Sequence, residues 1–126
     1  VTHSPLGRIL IVDDDEDIVR IISMLLSSRG YVCSRAHTGA QGLIEFQFGD
    51  VDLIITDMNM PAGDGIALIS RIRSNSNVPI VIITAFGKEY AAYTKTLEDI
   101  TLLRKPFDAQ SLLDVIEIEL AGREAA

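Results

Sequence analysis

Short, continuous apolar runs alternate along this chain with longer stretches whose apolar residues recur at helical spacing. Arg8 to Val12 (RILIV) reads as a buried strand, and Glu16 to Arg29 follows with Ile18, Ile21, Ile22 and Leu25 on one helical stripe. Gly30 suits the end of that helix, because glycine readily takes the backbone conformation found there. Tyr31 to Ala36 is a second strand. Thr38-Gly39-Ala40-Gln41 has the form of a capping box and predicts a helix to about Phe48. Asp52 to Thr56 (DLIIT) is a third strand, Pro61 to Gly65 a loop, and the next helix carries Ile66, Ile69 and Ile72. Asn75 to Pro79 is loop again and leads into a fourth strand, Ile80 to Thr84 (IVIIT). Lys88 to Leu97 reads as a weaker helix with fewer large apolar residues. Thr101 to Arg104 (TLLR) is a fifth strand, and Asp108 caps a last helix with Ala109, Leu112, Leu113, Ile116 and Leu120 on its stripe.

Strands made of unbroken Ile, Val and Leu must be buried on both faces. Five of them alternating with helices predict an α/β fold, a parallel sheet between two helix layers. A length of 126 residues fits one domain, and a hydrophobic content of 48% is enough for a core. The expected division is an N-terminal extension over 1–7, one domain over 8–120, and a tail or linker start over 121–126. There are no internal repeats. The first residue is not Met, as in a chain trimmed or cut from something longer.

The charge balance narrows the function. With 11 basic and 18 acidic residues the net charge is −7, which argues against direct binding to nucleic acid, since phosphate backbones need a cationic face. A single cysteine, Cys33, excludes an internal disulfide. Its strand context predicts a small buried apolar residue and a reducing, cytoplasmic location. No apolar run approaches the length of a membrane span.

Ligands of open α/β sheets bind beyond the carboxyl ends of the strands. Asp13, Asp14 and Asp15 follow strand one, Asp57 follows strand three, Thr84 ends strand four, and Lys105-Pro106 follows strand five. Charged carboxylates brought to ~5 Å repel by roughly 1–3 kcal/mol per pair, depending on the dielectric. A hard divalent cation suits such oxygen donors, and Mg²⁺ is the usual partner where phosphate is handled. Lys105 supplies a fixed positive charge and Thr84 a hydroxyl donor. Carboxylate, metal, ammonium and hydroxyl together make a phosphoryl-transfer set. Asp13 and Asp14 lie at the strand lip and are assigned to metal, whereas Asp15 is placed to cap the first helix, with Glu16 and Asp17 complementing its dipole.

Four runs in this order, ILIVDDDED, LIITDMNMP, IVIITA and LLRKPF, closely resemble the receiver domains of response regulators. The resemblance covers Arg8 to Leu120. It implies a flavodoxin-like, doubly wound (βα)5 sandwich of strand order 2-1-3-4-5, an order that propensity alone does not fix. It further implies that Asp57 is the phosphoacceptor and that Asp13, Asp14, Asp57 and the backbone carbonyl of Asn59 hold Mg²⁺, with Mn²⁺ as the alternative. Thr84 and Lys105 would contact the phosphoryl oxygens, and a cis peptide would precede Pro106. The implied partners are a histidine kinase or histidine phosphotransfer protein and a downstream output domain or protein. Phosphorylation would remodel the face of the fourth helix, fifth strand and last helix, which also offers a homodimer contact. Such a domain catalyses only its own phosphorylation and dephosphorylation and acts as a switch in a phosphorelay.

Two departures stand out. Leu102 occupies a position that is aromatic in most such switches, and Leu97 to Thr101 replaces a small-residue pair. Phe86, two residues after Thr84, either shields the phosphorus from water or packs on the fourth helix. Ile118 falls opposite the apolar stripe of the last helix, with Val115 at its flank. His3 and His37 read as isolated and solvated, Met58 and Met60 as packing, and Tyr90 and Tyr93 as surface or half-buried. The nearest rival function is a haloacid-dehalogenase-like phosphatase, because Asp13-x-Asp15 imitates its nucleophile motif; against it, this chain lacks the acidic pair that should follow the lysine on a later strand, since Asp108 and Asp114 both fall in the last helix. An FMN carrier would need a phosphate cradle where this chain is acidic. A docking-only receiver would not need the full acidic set.

Overall fold

The computed structural model describes residues 6–58, 60, 64–85 and 100–125. The elements run β1 (Arg8–Val12), α1 (Glu16–Ser28), β2 (Val32–Ala36), α2 (Gly39–Phe48), β3 (Leu53–Asp57), α3 (Asp64–Arg73), β4 (Ile80–Thr84), β5 (Ile100–Arg104) and the C-terminal helix α4 (Ala109–Ala125). The expected helix over Lys88 to Leu97 lies outside the described residues, as do His3, Asn59, Phe86, Tyr90 and Tyr93.

The strands form one parallel sheet of order β2-β1-β3-β4-β5, with Ile9 opposite both Cys33 and Leu53 and Asp57 opposite Ile83. This is the expected 2-1-3-4-5 flavodoxin-like arrangement. The central strands β3 and β4 are buried along their whole length, which is why their sequences show no polar alternation. The edge strands β2 and β5 are only partly buried and carry Ser34, Arg35, Thr101 and Arg104.

Strand alternation sorts the core into two layers. Ile9, Ile11, Leu53, Ile55, Val81 and Ile83 pack with Val19, Ile22 and Leu26 of α1 and with Leu112, Leu113 and Ile116 of the C-terminal helix. Leu10, Val12, Ile54, Ile80 and Ile82 pack on the other face with Leu68, Ile69 and Ile72 of α3. Fully burying each such side chain contributes about 1.5–3 kcal/mol.

Caps set the helix starts. Asp15 accepts from the N–H groups of Asp17 and Ile18, Thr38 from that of Gln41, and Asp108 from that of Ser111. At the end of α1, Gly30 has φ +99°, a conformation that disfavours any side chain.

Several details differ from the pattern read along the chain. The buried face of α1 is Val19, Ile22, Ser23 and Leu26; Ile18 and Leu25 are half-buried and Ile21 is 60% exposed. A polar Ser23 inside the buried stripe hides the true phase, and it is tolerated there because a small residue lets α1 lie close to β2, with Cys33 Sγ 4.0 Å from the Ser23 carbonyl. Cys33 is half-buried on this edge strand rather than fully enclosed. In α3, Leu68 joins Ile69 and Ile72 in the core while Ile66 faces outward. Ala109 is exposed, and the C-terminal helix runs on to Ala125 beyond the last core residue, Leu120. Ile118 is 69% exposed, on the outer side as expected. No helix among the described residues is long and apolar enough to cross a membrane.

Candidate functional site

β1 and β3 are neighbours at the centre of the sheet, and β4 and β5 follow on one side, so their carboxyl ends share one rim. Strand phase then selects which side chains meet there. Ile9 and Ile11 face the α1 layer, and so does Asp13 two residues on; Leu53 and Ile55 put Asp57 on the same side, and Leu103 does the same for Lys105. The structure brings these three together. Lys105 Nζ lies 3.3 Å from Asp13 Oδ2 and 3.3 Å from Asp57 Oδ2.

Asp57 is the last residue of β3 rather than the first beyond it, and is buried. Asp13 is fully buried at the end of β1; its N–H donates to the Ala36 carbonyl at 3.2 Å, and its Oδ1 accepts from the Asp15 N–H at 3.0 Å. Asp14 is exposed at the mouth. Asp13, Asp14 and Asp57 each offer an oxygen within 4.8 Å of the others. Asp15 turns away to cap α1, as its position in the sequence suggested.

Electrostatics follow from this crowding. Burial pushes the Asp13 carboxyl above the ordinary carboxylate range; the Asp15 N–H pulls it back, and the neighbouring Asp57 charge adds to the rise. Burial alone would weaken the Lys105 ammonium, but attraction to Asp13 and Asp57 outweighs it, and its pKa is raised. Lys105 is therefore a permanent cation at neutral pH. Three carboxylates against one ammonium leave an excess of negative charge. Their all-oxygen donor set can hold a metal ion, and suits a hard divalent one.

Thr84 is fully buried at the end of β4, and its carbonyl accepts from the Lys105 N–H at 2.9 Å, which ties the ends of β4 and β5 together. The Lys105–Pro106 peptide is cis, as expected. Met58 and Met60 are buried packing residues. Asn59, expected to lend a carbonyl, lies outside the described residues.

Three features of this rim were not anticipated. His37 is half-buried, not isolated in solvent: its Nδ1 lies 3.3 Å from the Asp13 carbonyl. The strand order, which sets the end of β2 beside that of β1, was the signal that could have placed it. Gly65, read as loop, is in the first turn of α3; a Cβ there would stand 2.6 Å from the Asp57 carbonyl oxygen and 2.8 Å from Met58 Cα. Beside Lys105, an apolar groove opens between α1 and the start of the C-terminal helix, lined by Ile18, Ile21, Leu25, Pro106 and Phe107. Its lining comes mainly from two segments, α1 and the run from Lys105 to Leu112, and only the fold sets them side by side.

Comparison with known proteins agrees with this geometry. Residues 9–117 match the family described as the response regulator receiver domain. The transcriptional regulatory protein GlrR of Escherichia coli (strain K12) is 33% identical over 119 residues, covering 93% of this chain and 27% of that protein, so the chain spans about a quarter of that relative's length. Sporulation initiation phosphotransferase F of Bacillus subtilis (strain 168) is 31% identical over 112 residues, covering 87% of this chain and 90% of that protein. The solved structure of the chemotaxis response regulator CheY4 of Vibrio cholerae superposes with a TM-score of 0.82 at 30% identity, covering 90% of this chain and 98% of that one. The chain belongs to the response regulator receiver domain family, signalling domains rather than true enzymes, and carries the acidic pocket and lysine typical of a phosphoacceptor.

Proposed function

We propose that Asp57 accepts a phosphoryl group from a phosphohistidine on a histidine kinase or histidine phosphotransfer protein, in a Mg²⁺-dependent reaction. The observation that carries this reading is the Lys105 ammonium set between two buried carboxylates, Asp13 and Asp57, at the rim of the sheet. An Asp57 oxygen attacks the phosphorus; the P–O bond forms as the donor's P–N bond breaks, and the departing imidazole keeps the electron pair and takes a proton. Lys105 neutralises charge on the phosphoryl oxygens, and the Thr84 hydroxyl donates to one of them. Asp13 and Asp14, with the Asn59 carbonyl, would hold the cation together with Asp57. When bound, Mg²⁺ (or Mn²⁺ in its place) supplies further charge neutralisation at the transferring group. Water later cleaves the acyl phosphate and restores the carboxylate.

The donor must cover the rim to reach Asp57. The apolar groove beside Lys105 gives it a place to rest, and exposed Ile21 stands at its edge. The added group brings roughly −1.5 to −2 charge, by analogy with other protein phosphates, which biases the domain toward a second conformation and an output partner. Residues 8–120 form the receiver, working in the cytoplasm, with 1–7 and 121–126 as flanking segments.

Incubation with acetyl phosphate and Mg²⁺ tests the reading. Intact mass is expected to show one added phosphoryl group, which does not form when EDTA replaces Mg²⁺ and is absent in Asp57→Ala. Multiple turnover of a phosphate monoester with no stoichiometric adduct would instead favour a phosphatase.

A further inference from the structure

We propose that His37 is a positioning residue for the cation site: its imidazole holds the peptide that joins Asp13 to Asp14, and so sets where the Asp14 carboxylate stands. The inference rests on the reading of Asp13 and Asp14 as a metal-holding pair.

Asp13 is tied at four points. Its N–H donates to the Ala36 carbonyl, its Oδ1 accepts from the Asp15 N–H, and its Oδ2 faces Lys105 Nζ. Those three contacts fix the residue and its own carboxylate. The fourth is different in kind. His37 Nδ1 stands 3.3 Å from the Asp13 carbonyl oxygen. That oxygen belongs to the rigid peptide plane leading into Asp14, so holding it fixes rotation about the Cα–C bond of Asp13 and the starting direction of Asp14.

Asp14 needs such help more than its neighbours. Asp13 and Asp57 are buried and paired with Lys105, whereas Asp14 is exposed at the mouth of the pocket. A carboxylate on a loose peptide costs entropy each time it closes on an ion. Mg²⁺ is strict about ligand placement and exacts that cost in affinity.

His37 is itself well anchored. It follows Ala36, which is in register with Val12, and its own N–H donates to Gln41 Oε1 at 2.9 Å. Gln41 is in turn fixed by the Thr38 cap. The carbonyl can only accept, so the contact selects the tautomer with a proton on Nδ1. The imidazolium carries a proton on Nδ1 as well.

The test is titration with MgCl2, followed by amide shifts in ¹H–¹⁵N NMR spectra, of the full chain and of His37→Ala, His37→Leu and His37→Asn. Asparagine places Nδ2 where histidine has Nδ1 and keeps the donor; leucine keeps bulk and loses it. Thermal midpoints without Mg²⁺ are recorded for each. The Ala and Leu variants are expected to bind Mg²⁺ roughly 3- to 10-fold more weakly, at or below the low end of the range for residues that support direct ligands, with Asn close to the parent. A purely structural role would lower the thermal midpoint and leave the Mg²⁺ Kd unmoved. If His37→Ala does not fold, the Leu–Asn pair carries the comparison. Equal affinity in the Leu variant and the parent, or Asn as weak as Leu, overturns the proposal while leaving the metal reading intact. A parent protein whose Mg²⁺ response is unchanged by Asp14→Asn overturns both.

Discussion

The Lys105 ammonium lies 3.3 Å from Asp57 Oδ2 although 48 residues separate them in sequence. The pairing is a product of topology: β3 and β5 flank β4, Asp57 ends β3, and the Lys105 N–H is tied to the end of β4 through the Thr84 carbonyl. Removing that ammonium would leave Asp13 and Asp57 facing each other in a buried place.

The raised pKa of Asp13 has a definite sign in stability. A carboxyl whose folded pKa exceeds its unfolded value of ~3.9 contributes stability fully present below that value and lost as pH rises through the folded pKa. At neutral pH without divalent ions the ionised group therefore costs stability. Asp13→Asn is expected to raise the thermal midpoint in EDTA at pH 7 and to lose this advantage below pH ~4. Scanning calorimetry at both pH values checks this. Lys105 has the same sign in a different window: its contribution is complete at neutral pH and is lost only as alkaline pH rises through its raised pKa.

Adjacent aspartates have separate jobs. Asp15→Ala should cost about 1 kcal/mol of stability through loss of the α1 cap and leave the Mg²⁺ Kd unchanged. Asp14→Ala should weaken Mg²⁺ binding with little change in urea midpoint. Urea unfolding paired with Mg²⁺ titration separates the two.

Gly65 sets how closely α3 approaches the strand end that carries Asp57. A methyl group would collide with the Asp57 carbonyl and Met58 backbone, which cannot rotate aside as a side chain would. Gly65→Ala is expected to destabilise the domain by about 1–3 kcal/mol, the usual cost of overpacking, and to slow phosphorylation by acetyl phosphate. Unfolding curves and initial rates of adduct formation test both parts.

The groove beside Lys105 predicts a split between donors. Ile21→Glu places charge in the groove lining and replaces none of Asp13, Asp14, Asp57, Thr84 and Lys105. Phosphotransfer from a cognate kinase or phosphotransfer protein should fall at least tenfold, about 1.4 kcal/mol, while the rate with acetyl phosphate stays within twofold. Parallel assays with the two donors give the comparison.

The strand pattern made most of the sheet legible, because Leu53–Asp57 and Ile80–Thr84 are short runs rich in β-branched residues and buried on both faces. The site was legible for a related reason: Asp13, Asp14, Asp57, Thr84 and Lys105 all fall at predicted strand ends. What stayed hidden depended on contacts across the fold. The phase of α1 was masked by buried Ser23, and Ile21, counted as core, faces outward. His37 looked solvated because its partner is a backbone carbonyl 24 residues away. Gly65 looked like a turn residue because the backbone it approaches leaves no trace in its own segment.

Borohydride trapping addresses the central claim most directly, because it reduces an acyl phosphate on aspartate to homoserine at the residue that carried it. After phosphorylation with acetyl phosphate and Mg²⁺, peptide mapping is expected to find homoserine at position 57 and nowhere else. Homoserine at position 13, the place a dehalogenase-type nucleophile would occupy, or a phosphorylated protein that yields none, would contradict the account.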